Sequence, residues 1–92
     1  MTPSIVRATI HYSGHVQGVG FRYTVLQTAK GYEVSGFVQN LVDGRVLLVA
    51  EGEAKEIEGF VDEVAERTVA FVRKVERNDE TSSRQHRGFS IR

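Results

Sequence analysis

The stretch GHVQGVGFR, residues 14–22, collects the residue types that can hold an anion. Gly14, Gly18 and Gly20 stand four and then two residues apart, and glycine enters left-handed backbone conformations that other residues avoid. The backbone of His15, Val16, Gln17, Gly18, Val19 and Gly20 can therefore curl with several N–H groups pointing inward, the geometry of an anion nest. Arg22 follows where a helix begins. Its planar guanidinium can lay two parallel hydrogen bonds on phosphate oxygens, and a helix amino terminus adds partial positive charge. The nucleotide-binding loops fit poorly, because there is neither a Gly-Lys-Ser/Thr triplet nor a Gly-x-Gly-x-x-Gly spacing. Taken alone, the loop also fits a plainer reading: a tight strand-to-helix connection with Arg22 as a solvated surface residue.

The elements around this loop follow from apolar periodicity. SIVRATIHYS places Val6, Ala8, Ile10 and Tyr12 on one face and Arg7, Thr9 and His11 on the other, which predicts a half-buried strand. After the loop, Phe21, Val25 and Ala29 recur at one-turn spacing beside Leu26, and the run closes on Lys30-Gly31. This predicts a helix over 21–30 with a basic last turn and a glycine C-cap. YEVSGFVQNL and RVLLVAEG read as strands joined through Val42-Asp43-Gly44, since Asp-Gly between two β-rich runs supplies the positive φ of a hairpin. EAKEIEGFVDEVAER sets Ile57, Phe60, Val61 and Val64 on one helical face, behind an acidic first turn that suits the helix dipole. VAFVRKVER reads as a fourth strand, NDETSSRQHR as a polar loop, and GFSIR as a short closing strand. The order β-α-β-β-α-β, with a possible short fifth strand, predicts an α+β, ferredoxin-like split βαβ sandwich, two helices covering one face of a mostly antiparallel sheet.

Composition narrows the chemistry. Twelve basic and twelve acidic side chains balance across 92 residues, which argues against a footprint for nucleic acid or for an anionic membrane. The absence of cysteine removes disulfides, thiolate nucleophiles and cysteine-ligated metals. His11, His15 and His86 show no metal-ligand spacing, and no apolar run approaches the ~20 residues of a membrane span. The amino terminus lacks the pattern of a signal peptide. These features predict one cytoplasmic domain over residues 1–92, with no metal and no cofactor.

At Gly14, Val16, Gln17, Gly18, Val19, Phe21 and Arg22 the chain resembles the acylphosphatases, whose signature runs Gly-x-Val-Gln-Gly-Val-x-Phe-Arg. A second signature of that family, glycine-aromatic-Val-x-Asn followed by Gly-x-Val and a later glycine, is met by Gly36, Phe37, Val38, Asn40, Gly44, Val46 and Gly52. The resemblance covers essentially the whole chain and is weakest over residues 67–87. It implies hydrolysis of a carboxyl-phosphate anhydride to carboxylate and inorganic phosphate, by direct attack of water. It further implies that the backbone amides of His15, Val16, Gln17, Gly18, Val19 and Gly20 cradle the phosphoryl oxygens, that Arg22 completes the cradle, and that Asn40 holds the attacking water. The implied partners are a small-molecule acyl phosphate and inorganic phosphate as product and competitive inhibitor, acting on a monomer. Phosphoryl transfer asks mainly for positioning and charge stabilisation, so the lack of a thiol, a metal cluster or a carboxylate pair fits the resemblance.

The other polar residues read as structural. His15 occupies the variable position of the signature and contributes its amide alone. Tyr12 and Tyr23 read as packing residues, Glu56, Glu58, Asp62, Glu63 and Glu66 as a solvated helix face, and Arg84, His86 and Arg87 as a polar loop. Two rival functions share the element order. An RNA-recognition module needs exposed aromatics on its central strands, and RVLLVAEG has none. An accessory domain of a larger protein is the other rival, but the chain opens on Met1 and reads as complete, and it keeps both Arg22 and Asn40.

Overall fold

A computed structural model describes residues 5–92, apart from the side chain of Ser82. The elements run β1 (Ile5–Gly14), α1 (Phe21–Ala29), β2 (Ser35–Asn40), β3 (Val46–Gly52), α2 (Ala54–Thr68), β4 (Val72–Ser82) and β5 (Phe89–Ile91). The five strands form one sheet in the order β4-β1-β3-β2-β5. All neighbours are antiparallel except β2 and β5, which pair in parallel through Gly36 with Phe89 and Val38 with Ile91. This is the ferredoxin-like α+β arrangement that the sequence predicts, with the short fifth strand present. Among the described residues no helix is long and apolar enough to cross a membrane.

The alternation in β1 sorts its side chains as predicted: Ala8, Ile10 and Tyr12 are buried. They meet Phe21, Val25 and Ala29 of α1, and Ile57, Phe60 and Val64 of α2, in one core with Val38, Val46, Leu48 and Ala50. Val61 packs at the margin of that core. Apolar burial at ~25 cal/mol per Å2 is the main force holding the helices to the sheet. The predicted start of the first strand at Ser4 lies outside the described residues.

Three details depart from the sequence reading. α1 ends at Ala29, and Gly31 is not a left-handed cap; the end tightens instead through Lys30 N–H donating to the Gln27 carbonyl, Gly31 N–H to Thr28 and Tyr32 N–H to Ala29. The fourth strand begins at Val72 rather than at residue 69 and runs on through Asn78, Asp79, Glu80 and Thr81, which read as loop in the sequence. Each of these pairs with β1, from Asn78 opposite Thr9 to Ser82 opposite Ile5. Charged side chains are typical of an exposed edge strand, where backbone pairing on one side suffices and polarity discourages further pairing. Polarity there reports exposure, not the absence of a strand.

The third departure is at residues 84–86, which cross the helix-free side of the sheet rather than standing free in solvent. Glu51, fully buried on β3, accepts from Arg7 Nε at 2.9 Å, from Gln85 N–H at 2.9 Å and from His86 N–H at 2.7 Å. Arg84 Nη1 donates to Ser35 Oγ at 2.6 Å. The His86 ring meets the edge of Phe37, and the Arg92 guanidinium lies 3.9 Å over the same ring. The acidic face of α2 is also partly engaged: Glu56 accepts from Glu33 N–H, Glu63 from Tyr32 Oη, and Glu58 pairs with Arg77.

Candidate active site

β1 and α1 are joined by a loop whose shape is dictated at its glycines. At Gly14 the strand passes so close to the next segment that a Cβ would lie 2.5 Å from the Phe71 carbonyl oxygen. Gly18 and Gly20 have φ of 79° and 80°, the left-handed region, while a Cβ on either would touch nothing within 4 Å. Conformation, not crowding, requires glycine there, and the space beside both residues stays open. Val16, between Gly14 and Gly18, is 1% exposed and anchors the loop in the core.

The loop leaves a row of backbone donors unused. Gly20 is the N-cap of α1 and gives no side-chain cap. The first internal bond of the helix runs from Thr24 N–H to the Gly20 carbonyl. Among the described residues, the amides of Val16, Gln17, Gly18, Val19, Gly20, Phe21, Arg22 and Tyr23 have no acceptor in the protein. His15 is different: its N–H donates to the Phe71 carbonyl at 2.8 Å. The sequence reading placed the His15 amide in the cradle; its pairing to the segment before β4 takes it out, and the run of open amides starts at Val16.

A cavity of about 190 Å3 opens at this place, lined by Val16, Gly18, Gly20, Phe21, Arg22, Tyr23, Asn40 and Ile91. Its lining holds one cation and no carboxylate. Arg22, in the first turn of α1, pairs with no Asp or Glu side chain among the described residues; its Nη1 donates a long hydrogen bond, 3.5 Å, to the main-chain oxygen of Arg92. Free donors, a helix amino terminus and an unneutralised guanidinium make the cavity attractive to anions.

Asn40, the last residue of β2, enters the cavity from the other side. Its Oδ1 is buried and has no hydrogen-bond partner among the described residues. An orphaned buried acceptor costs about 1–3 kcal/mol, so Asn40 Oδ1 is an acceptor whose capacity the described chain does not fill. The strand end is held firmly: Leu41 N–H donates to the Arg45 carbonyl at 2.8 Å, and Asp43 Oδ1 accepts from Arg45 N–H at 3.0 Å. Gly44 takes φ 94° at the turn, as the Asp-Gly signal predicts.

Arg22, Asn40, Val16, Gly18 and Gly20, named from the sequence, thus share one cavity. Val19 lies at the surface, 36% exposed, and the Gln17 side chain turns from the cavity toward the hairpin. Tyr23 is 62% exposed and lines the cavity, so it is not the packing residue that the sequence suggested. Ile91 was not anticipated; only the parallel pairing of β5 with β2 brings it there.

A model of the acylphosphatase family matches residues 8–91. The chain belongs to the acylphosphatase family. Among its relatives, the acylphosphatase of Thermotoga petrophila is 39% identical over 83 residues, which span 90% of this chain and 92% of that one. The crystal structure of the Bacillus subtilis acylphosphatase superposes with a TM-score of 0.83 at 34% identity, covering 94% of this chain and 97% of the other. The same fold occurs within full-length HypF, in a phosphate- and nucleotide-bound form, with a TM-score of 0.80 at 28% identity over 99% of this chain and 12% of that one. The first acylphosphatase signature falls on the β1–α1 loop and the start of α1; the second runs along β2, its hairpin and β3, and of its residues Asn40 lines the cavity.

Proposed function

We propose that this chain hydrolyses acyl phosphates, with the phosphoryl group in the β1–α1 loop and the attacking water on Asn40. The observation that carries the reading is the convergence in one cavity of free amides, an unneutralised arginine and an orphaned amide oxygen. A phosphoryl group carries several acceptor oxygens and negative charge, which the loop amides and Arg22 complement. A water held by Asn40 Oδ1 donates to it and turns a lone pair toward phosphorus. The new P–O bond forms as the bond to the acyl oxygen breaks; the electron pair leaves on the carboxylate, and the proton of the water passes to phosphate or solvent. A carboxylate leaves readily, so the reaction needs no strong general acid. The amides and Arg22 meet the charge of the transition state in place, without reorganising. The cavity recognises the phosphoryl end, which suits varied acyl groups, and inorganic phosphate is expected to compete for it.

The test is hydrolysis of an aromatic acyl phosphate in the presence of chelator, by the wild type and by Asn40→Ala. If Asn40 orients water, the variant loses on the order of 10²-fold in kcat, the scale of one lost positioning contact. Its affinity for phosphate stays near the wild-type value. Unchanged kcat with weakened phosphate binding would put Asn40 in the anion cradle instead. Wild-type activity that vanishes in chelator and returns with a divalent ion would overturn the metal-free reading.

A further inference from the structure

The Gln17 side chain reaches across the molecule to the hairpin that carries Asn40. Its Nε2 donates to the Leu41 carbonyl at 2.8 Å and to the Arg45 carbonyl at 3.0 Å, so both amide hydrogens are engaged. Those two carbonyls are the ones that close the hairpin, since Arg45 O also accepts from Leu41 N–H and Leu41 O from Gly44 N–H. Leu41 follows Asn40 directly, and Val16 and Gly18, on either side of Gln17, line the cavity. One residue therefore has its backbone in the loop and its side chain on the opposite wall. It is a direct polar link between the two halves of the site.

We propose that Gln17 is a positioning residue that sets the distance between the phosphoryl cradle and the water on Asn40. This rests on the hydrolytic reading above. A reacting group must sit within about 0.5 Å of its productive place, and a displacement of 1 Å can cost ~10²-fold in rate. The loop alone offers no such precision, because Gly18 and Gly20 give it conformational freedom and Val16 alone anchors it apolarly. Two short hydrogen bonds from one planar amide fix both separation and direction. Because the Gln17 side chain is bonded to the hairpin rather than facing the substrate, the effect of changing it passes through Asn40.

The experiment is a double-mutant cycle on hydrolysis, with phosphate binding measured by calorimetry on each variant. Gln17→Ala is expected to lower kcat about 10- to 100-fold while changing phosphate affinity less than about threefold. In an Asn40→Ala background the same substitution should have little further effect, because the water it aligns is no longer held. Gln17→Glu keeps the shape but presents oxygens to the two carbonyls, and should be no better than alanine; Gln17→Met keeps the bulk without donors, and serves if Gln17→Ala does not fold. Additive losses in the cycle, or wild-type kcat in any folded Gln17 variant lacking donors, would overturn the proposal. Failure of the underlying reading looks different: the wild type would lack activity, or Asn40→Ala alone would leave kcat unchanged.

Discussion

Two polar regions of this molecule are built from similar groups and end in opposite states. On the helix-free face, the Glu51 carboxylate is completely enclosed, yet Arg7 and the amides of Gln85 and His86 converge on it. At the end of the sheet, Arg22, the loop residues Val16, Gly18 and Gly20 with their unbonded amides, and Asn40 with its orphaned Oδ1 line one cavity without bonding to one another. A charge that is buried and fully bonded ties chain segments together. Donors and an acceptor held apart around a cavity are arranged for something else to enter. Satisfaction of hydrogen bonds, rather than polarity, separates the structural cluster from the candidate site.

Tyr12 sharpens the criterion. Its hydroxyl is also buried without a partner among the described residues, and burial raises its pKa, though Arg77 pulls the other way. Tyr12 shares an apolar cavity with Ala65, Thr68, Val69, Val72 and Val75 at the carboxyl end of α2, where the Thr68 hydroxyl is already bonded to the Val64 carbonyl. A lone orphan is a local defect of packing; a convergent set is a site.

The comparison can be broken most directly at Arg22. Arg22→Ala should lower kcat/KM by about 10²- to 10³-fold, the range for losing one transition-state donor, and should weaken inhibition by phosphate while circular dichroism stays unchanged. Arg22→Lys should recover little, because an ammonium lacks the guanidinium fork. Near-normal turnover in Arg22→Ala would make that arginine as structural as Arg7.

The saturated region should respond in stability instead. Glu51→Ala leaves Arg7 and the amides of Gln85 and His86 without their buried acceptor, and breaking a buried pair of this kind costs about 3 kcal/mol. Thermal melting should fall by roughly 10–20 °C for a domain of this size, while phosphate affinity at the cavity is retained. Acid should reproduce part of this loss. Burial on its own would raise the Glu51 carboxyl, but the bonds from Arg7, Gln85 and His86 outweigh it and leave the net value lowered. A carboxylate depressed in the folded state stabilises fully above its ordinary value of 4.5 and loses that contribution as pH falls through the folded value. The melting temperature of the wild type should therefore drop more steeply below pH 4.5 than that of a folded Glu51→Gln protein. Parallel acid profiles would mean that Glu51 is not the group responsible.

The smallest effect belongs to Tyr12. Tyr12→Phe removes an unsatisfied hydroxyl and keeps the ring against Phe21, 5.1 Å between centroids. Stability should hold or rise by up to about 1 kcal/mol, with hydrolysis unaffected. A clear loss on denaturant titration would show that the hydroxyl has a partner and that a lone orphan is a poor contrast to the cavity.

Much of this was legible from local pattern. The glycine loop, the helix that follows it, the Asp-Gly hairpin and the alternation of β1 are written within a few residues each, because turns and periodic faces depend on near neighbours. Arg22 and Asn40 are legible without any knowledge of their proximity, since both lie in signatures of residue type and spacing. Other features escaped for a shared reason. The strand at residues 78–81 carries no apolar alternation, because its side chains at the sheet edge are exposed. The bonds from Gln17 span 24 and 28 residues and those at Glu51 span 34 and 35, separations at which no periodicity survives.

The division between chain and fold follows from that range. Residue types and short spacings determined which groups are available: amides freed by glycine, a guanidinium at a helix start, an amide side chain at a strand end. The tertiary structure decided which remain available. It engaged the His15 amide with Phe71 and turned the Gln17 side chain onto the hairpin. It carried Ile91 to the cavity on a parallel strand, and it left Arg22 without an acidic side-chain partner and Asn40 Oδ1 without a donor among the described residues. Whether a donor or acceptor is free depends on every segment packed beside it, and only the folded chain brings those segments together.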